Sequence, residues 1–417
     1  MALAGLIGGA LRGDPRSVMA LETMGTDAAV VQEAMGLLGQ RAEQPAVGHF
    51  AAQIILRHAR GGEGADLGAL CTECLQVTLA APSLPGHRQL LSAAAAAATR
   101  AGPEATLQVH AEAMRLARAS QLSAGADDGG ASALAALQLV HAMAEESGGA
   151  AVPAAVREAL VAQGADVFRL ITAVLSGSAG ERGVAGGLEC LTEWAGTLGV
   201  GMDAVLATDG LLVSLCTLTH SPDESVLDSL ADCLEGLLTR PFAGHSAAVR
   251  RAAKASTRPE DEPWRSNGPA LEQLGVAVAS QRARFTDEQS MLVRRGLCRM
   301  AVAVAEVLTW TTAAAAQANQ PLLECLVAGS QCRDRATASI CIEGIVPLIY
   351  DLRFTECREL PPMLSHALLA PVLLHAEYIN EDAEFDDEDV TDVYLDEDEW
   401  SRVTNIIYLL RIKMVSC

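Results

Sequence analysis

Apolar residues recur along most of this chain at the spacing of an amphipathic helix, and the clearest unit runs from Asp166 to Leu198. Val167, Leu170, Ile171, Val174 and Leu175 follow the i, i+3, i+4, i+7, i+8 pattern. Ser176-Gly177-Ser178-Ala179-Gly180 interrupts it, and it resumes at Val184, Leu188, Leu191, Ala195 and Leu198, with Trp194 on the flank. Two antiparallel helices on a short turn bury one another on one side only. Each hairpin therefore keeps an apolar edge that the next must cover. The pattern predicts an all-α chain built as an α-solenoid of HEAT-type antiparallel helix pairs, and at roughly 40 to 47 residues per pair there is room for about eight or nine.

In order, Leu3, Leu6, Ile7 and Leu11 fit an irregular or short helical N-terminus over residues 1–25, with a frayed end as the alternative. The first part of the solenoid spans 26–239. It comprises helices over Thr26–Arg41 and from Pro45 through Arg57, then Asp66–Leu79 and His87–Arg100, the last carrying the alanine run Ala93 to Ala98. Glu104–Ala119 leads into a Gly/Asp-rich loop, Ser123 to Gly130, after which Ser132 is placed to N-cap a helix to Glu146. Pro153 suits the first turn of the next helix. Ala204–Leu218 and Glu224–Thr239 complete this part.

The periodicity vanishes between Arg240 and Gly268, where basic residues give way to Glu260-Asp261-Glu262 among prolines, which reads as a loop or insertion. A second solenoid part covers 269–378, with helices over Leu271–Arg284, Asp287–Thr312, Pro321–Gly329, Arg333–Arg353 and Pro362–Tyr378. Residues 379–399 form an acidic loop, and the stretch Glu377 to Glu399 holds thirteen Asp or Glu and no Lys or Arg. Residues 400–417 end the chain on an uncapped apolar helix, Trp400, Val403, Ile406, Ile407, Leu410 and Met414. Leaving such side chains in water forfeits roughly 1.5 to 3 kcal/mol each. The expectation is that the chain is the N-terminal part of a longer solenoid.

Composition sharpens this picture. Aromatic residues make up only 3%, and the formal charge is −22, from 30 basic and 52 acidic side chains. That balance repels phosphate backbones and favours basic protein partners, so direct nucleic-acid binding is not expected. Eleven scattered cysteines read as buried thiols of a reducing compartment. Met1 to Leu11 lacks a basic lead, and Glu306 interrupts the best apolar run, Met300 to Ala316, so neither a secretory signal nor a membrane span is expected.

Catalytic patterns are absent from the sequence. The only lysines, Lys254 and Lys413, do not follow glycine, so there is no P-loop, and no GxSxG or HExxH occurs. Cys71 and Cys74 form a lone CxxC within a helix, which fits a buried face better than a metal site without a second pair of ligands. His141 reads as a satisfied core or boundary residue, and Glu145-Glu146 as a solvated helix end rather than an acid/base pair. No enzyme, cofactor or metal is expected. For the acidic run the alternatives are a solubilising loop and a docking surface for a basic partner, whose association would be fast at low salt.

Several stretches resemble the importin-β (karyopherin-β) superfamily of nuclear transport receptors, closest to its transportin-SR branch. They are HFAAQIIL at His49–Leu56, LQLVHAMAEES at Leu137–Ser147, the hairpin Leu170–Val200, SLADCLEGLL at Ser229–Leu238, and the acidic loop followed by DEDEWSRVTNIIYLL at Asp396–Leu410. The resemblance implies a right-handed superhelix of HEAT repeats shared between cytoplasm and nucleus. Its partners would be the small GTPase Ran in the GTP form, phenylalanine-glycine nucleoporins and protein cargo, Arg/Ser-rich in this branch. It also implies a partner-binding role for Glu381, Asp382, Glu384, Asp386, Asp387, Glu388 and Asp389. The alternative from the residues alone is a cytosolic HEAT or armadillo scaffold that holds a multiprotein complex together, outside transport.

Overall fold

The computed structural model describes residues 3–23, 28–40, 45–61, 67–80, 84–122, 128–177, 180–199, 202–238, 268–287, 290–308 and 313–350, with short stretches between 363 and 371. The predicted insertion up to Asn267, the acidic run and the closing helix lie outside these residues. Every regular element among the described residues is an α-helix, and the chain divides into two compact units, Met1–Ser214 and Leu215–Cys417. No single described helix is long and apolar enough to cross a membrane.

The first unit opens with two short helices, α1 (Leu3–Leu11) and α2 (Pro15–Thr23). Leu3, Leu6 and Ile7 of α1 are buried, and α1 packs on α3 (Ala28–Gln40) and α4 (Pro45–Gly61) rather than fraying. Asp14 caps α2 by accepting from the backbone N–H and hydroxyl of Ser17 at 3.2 and 2.5 Å, with Pro15 at the first helical position, where its missing N–H costs nothing.

Next come α5 (Leu67–Ala80), α6 (His87–Ala101), α7 (Pro103–Leu122), α8 (Asp128–Ser147), α9 (Ala154–Ala162), α10 (Gly164–Ser176), α11 (Gly180–Thr197) and α12 (Met202–Leu206), and then α13 (Leu211–Leu218), whose residues up to Ser214 close the first unit. Chain neighbours pack as pairs: α3 on α4, α5 on α6, α7 on α8 and α10 on α11. A second series links the pairs, with α4 on α6, α6 on α8 and α8 on α11. The alanine run explains how α6 serves both neighbours, since Ala93 to Ala98 are all buried and their methyl groups let backbones approach closely. On either side of it, Arg60 of α4 reaches Glu146 of α8, donating from Nε at 2.8 Å, and lies 3.5 Å from Glu145.

Several boundaries differ from the periodicity. Ser132 lies inside α8 and caps nothing, because that helix begins at Asp128; packing of α8 on α6, α7 and α11 outweighs the roughly 1 kcal/mol that each of Gly129 and Gly130 costs a helix. Pro153 is the N-cap of α9, with extended backbone, rather than a first-turn residue. The predicted helix over 204–218 is broken between α12 and α13, where Gly210 takes the left-handed φ of 81°. Trp194 is not on a flank. It is fully buried and its indole N–H donates to the Val140 carbonyl at 3.0 Å, tying α11 to α8.

In the second unit, α14 covers residues 224–238, followed by α15 (Gly268–Ala279), α16 (Arg282–Asp287), α17 (Met291–Val307), α18 (Ala313–Ser330) and α19 (Arg335–Tyr350). The predicted helix over 271–284 is split between α15 and α16, and α18 begins before Pro321, which sits inside it. Helix α17 touches α15, α16, α18 and α19, and α18 packs on α19.

Two outcomes test this packing. Trp194→Ala removes a fully buried indole and is expected to cost about 3–5 kcal/mol, read from urea unfolding. His110 of α7 is buried, and burial lowers its pKa from the ordinary 6.5 despite the opposing charge of Asp166. The folded state thus prefers the neutral ring, so its contribution is complete above about pH 6.5 and is lost as the unfolded chain takes up a proton below it. The unfolding free energy of His110→Gln should therefore fall less than that of the wild type between about pH 7 and about pH 5.

Candidate partner-binding groove

On α14, Val226, Leu227, Leu230, Leu234, Leu237 and Leu238 are buried. The intervening positions Asp228, Asp232 and Glu235 repeat at i, i+4 and i+7 and so line a single face. Asp223 starts the helix, its carboxylate accepting from the Val226 N–H at 2.9 Å and the Ser225 hydroxyl at 2.6 Å. Helix α17 starts likewise, at Ser290, whose side chain accepts from the Val293 N–H at 3.4 Å. Val293, Leu297, Met300 and Val304 fill its core face, while Arg295, Arg299, Val302 and Glu306 form a second stripe.

Two glycines set the approach of these helices. A Cβ on Gly296 would meet the Leu227 backbone at 3.4 Å, so α17 runs close against α14. A Cβ on Gly344 would lie 2.5 Å from a Val302 methyl, so α19 and α17 close up there. Between them lies a cavity of about 380 Å³ lined by Glu235, Arg295, Arg299, Val302, Glu306, Ile340, Glu343 and Gly344.

The Arg299 guanidinium organises one wall. Nε donates to Glu235 at 2.9 Å, one terminal nitrogen to Asp228 at 2.8 Å, and the other to Glu235 at 2.7 Å and to Asp232. Its side chain is only 18% exposed, against 63% for Asp228 and 60% for Asp232. The hydrogen bonds from Arg299 to Glu235, ahead of those to Asp232, push the guanidinium pKa above its ordinary value in spite of burial. Counting Asp228 and Asp232 with the lining, five carboxylates face two guanidiniums, so the groove is acidic although an arginine sits at its centre. Such a surface attracts cations and guanidinium groups on a partner.

The acidic residues proposed from the sequence, Glu381 to Asp389, lie outside the described residues. Cys71 and Cys74 are buried in α5, where burial pushes their thiols up to about 11 and about 12, so both stay protonated. His141 is half-buried, the boundary position expected, and its Nδ1 has no hydrogen-bond partner among the described residues. Glu146 is a correction as well. Its side chain is 10% exposed and bound by Arg60, so it is not a solvated helix end. Among the described residues, no group of three or more His, Cys, Asp or Glu could hold a metal ion.

The groove is not legible in the sequence, although the polar stripes on α14 and α17 have helical spacing, because it forms only when two helices pair whose contacting residues, Asp228 and Arg299, are 71 positions apart.

Arg299→Ala leaves three neighbouring carboxylates without their shared cation. Because the acids are largely solvated, the expected loss is about 1–2 kcal/mol, not the larger cost of breaking a fully buried pair. Urea unfolding at low and high salt should show the gap to wild type narrowing as salt screens both the native attraction and the residual repulsion. Comparison with known proteins adds no relative, as no family model and no curated protein matches the chain.

Proposed function

We propose that this chain is a HEAT-type α-solenoid that works by binding other proteins, as a nuclear transport receptor of the importin-β kind. The observation that carries this reading is where the resembling segments fall. His49–Leu56 lies in α4, Leu137–Ser147 in α8 and the greater part of Leu170–Val200 in α10 and α11, so each reaches a member of the α4, α6, α8, α11 series. Ser229–Leu238 falls in α14 and carries Asp232 and Glu235 of the groove. A series in which each pair touches the next is how stacked repeats share one continuous core.

Charge supports the same reading. A chain at −22 with an acidic groove suits a basic protein surface and disfavours a phosphate backbone. In this proposal Ran in its GTP form, nucleoporin repeats and protein cargo are the partners, and the acidic run Glu381 to Asp389 adds a docking surface. No reaction is catalysed.

The test is binding of the purified chain to Ran loaded with GTP and, separately, with GDP. The GTP form should bind at least about tenfold more tightly, equivalent to about 1.4 kcal/mol. Equal binding, or none, would remove the transport reading and leave the cytosolic HEAT scaffold, which uses the same architecture for another purpose.

A further inference from the structure

The second unit gathers cysteines around a glycine. Cys298 on α17, Cys325 on α18, Cys332 just after it and Cys341 on α19 are all buried, none more than 5% exposed. Two of them have partners elsewhere: the Cys325 thiol is directed at the Ala279 carbonyl at 3.8 Å, and Arg294 donates to the Cys332 sulfur at 2.9 Å. The other two, Cys298 and Cys341, lie on α17 and α19, which pack against one another. Gly329 of α18 makes room for both. A Cβ built there would lie 2.5 Å from the Cys341 sulfur and 2.8 Å from the Cys298 sulfur, and two atoms that close to one point are themselves neighbours.

We propose that Cys298 and Cys341 are a redox pair, joined by hydrogen peroxide into a disulfide that ties α17 to α19. One sulfur gives up its proton and, as thiolate, attacks a peroxide oxygen; the O–O bond breaks, a sulfenic acid forms, and the departing hydroxide takes up that proton and leaves as water. The second sulfur then displaces the sulfenic hydroxyl, which leaves as a second water. Two thiols and one peroxide give one disulfide and two waters, so electrons and atoms balance. The Cys298 side chain, ahead of burial, holds the Cys341 thiol well above its ordinary range, so that thiol is slow to attack peroxide. Helices α17 and α19 also carry opposite walls of the acidic groove, Arg299 and Glu306 on one and Ile340 and Glu343 on the other. The disulfide therefore fixes the spacing of that groove, whatever partner it takes.

Cys216 is half-buried and gauges the oxidant. The full folded chain is treated with hydrogen peroxide at the dose that fully oxidises Cys216, alkylated, digested without reduction and analysed by mass spectrometry. The expected product is a linked peptide pair containing Cys298 and Cys341, kept in a Cys325→Ser, Cys332→Ser double variant and lost in Cys298→Ala. Wild-type protein carries the test even if a variant folds poorly. Recovery of Cys298 and Cys341 as free thiols after unfolding, or linkage of either to Cys325 or Cys332, overturns the proposal.

Discussion

A helical hairpin buries only one of its sides, and in the first unit that shortfall is met by the contacts of α4, α6, α8 and α11. Each pair must be covered by another, so contacts run from pair to pair and few segments distant in sequence need to meet. Where they do meet, small residues make it possible. The six buried alanines of α6 offer almost no side chain to displace, and the helix can therefore be shared by α4, α5, α7 and α8. Trp194 does the opposite: it is the largest fully buried side chain among the described residues, and it fills the space between α11 and α8 that smaller residues would leave empty. Its polar atom is satisfied by a helix carbonyl, which has a second lone pair to offer.

The same logic gives the groove its character. A helix in such a series has a buried stripe and a face that its partners do not cover, and on α14 that uncovered face is acidic. Arg299 enters from α17 and is held by carboxylates rather than by water. Its planar fork permits several parallel hydrogen bonds at once, which lysine could not reproduce. The three carboxylates around it carry more charge than it neutralises, and Glu306 and Glu343 add to the excess. The groove is thus ordered and still negative.

Legibility in the sequence followed the strength of local periodicity. The hairpin α10 and α11 was readable almost to the residue, because its apolar spacing and its Ser/Gly turn agree on the same boundaries. The opening of α8 was not, because Gly129 and Gly130 argue locally against a helix that tertiary packing nonetheless supports. Gly210 was hidden for the converse reason, since the apolar pattern continues across a break that only its left-handed backbone reveals. Trp194 and Glu146 were misplaced because their surroundings come from other helices, α8 in one case and α4 in the other. The groove and the thiol pair belong to this class too: each exists only once α17 is set beside α14 or α19.

Helix α17 shows why such sites persist. Its apolar face packs into the unit, Gly296 seats it on α14, Val302 locks against Gly344 of α19, and its sulfur at Cys298 meets Cys341 beside Gly329. A helix gripped on several sides cannot rotate without losing close contacts on each, and a packed interior resists such shifts. Arg299 is consequently presented to the groove in a fixed orientation, and little of its side-chain entropy remains to be lost. The charges of the groove rest on a core that holds them still, and the small residues Gly296, Gly329 and Gly344, which let α17 close up on its neighbours, shape the groove as much as the charged ones do.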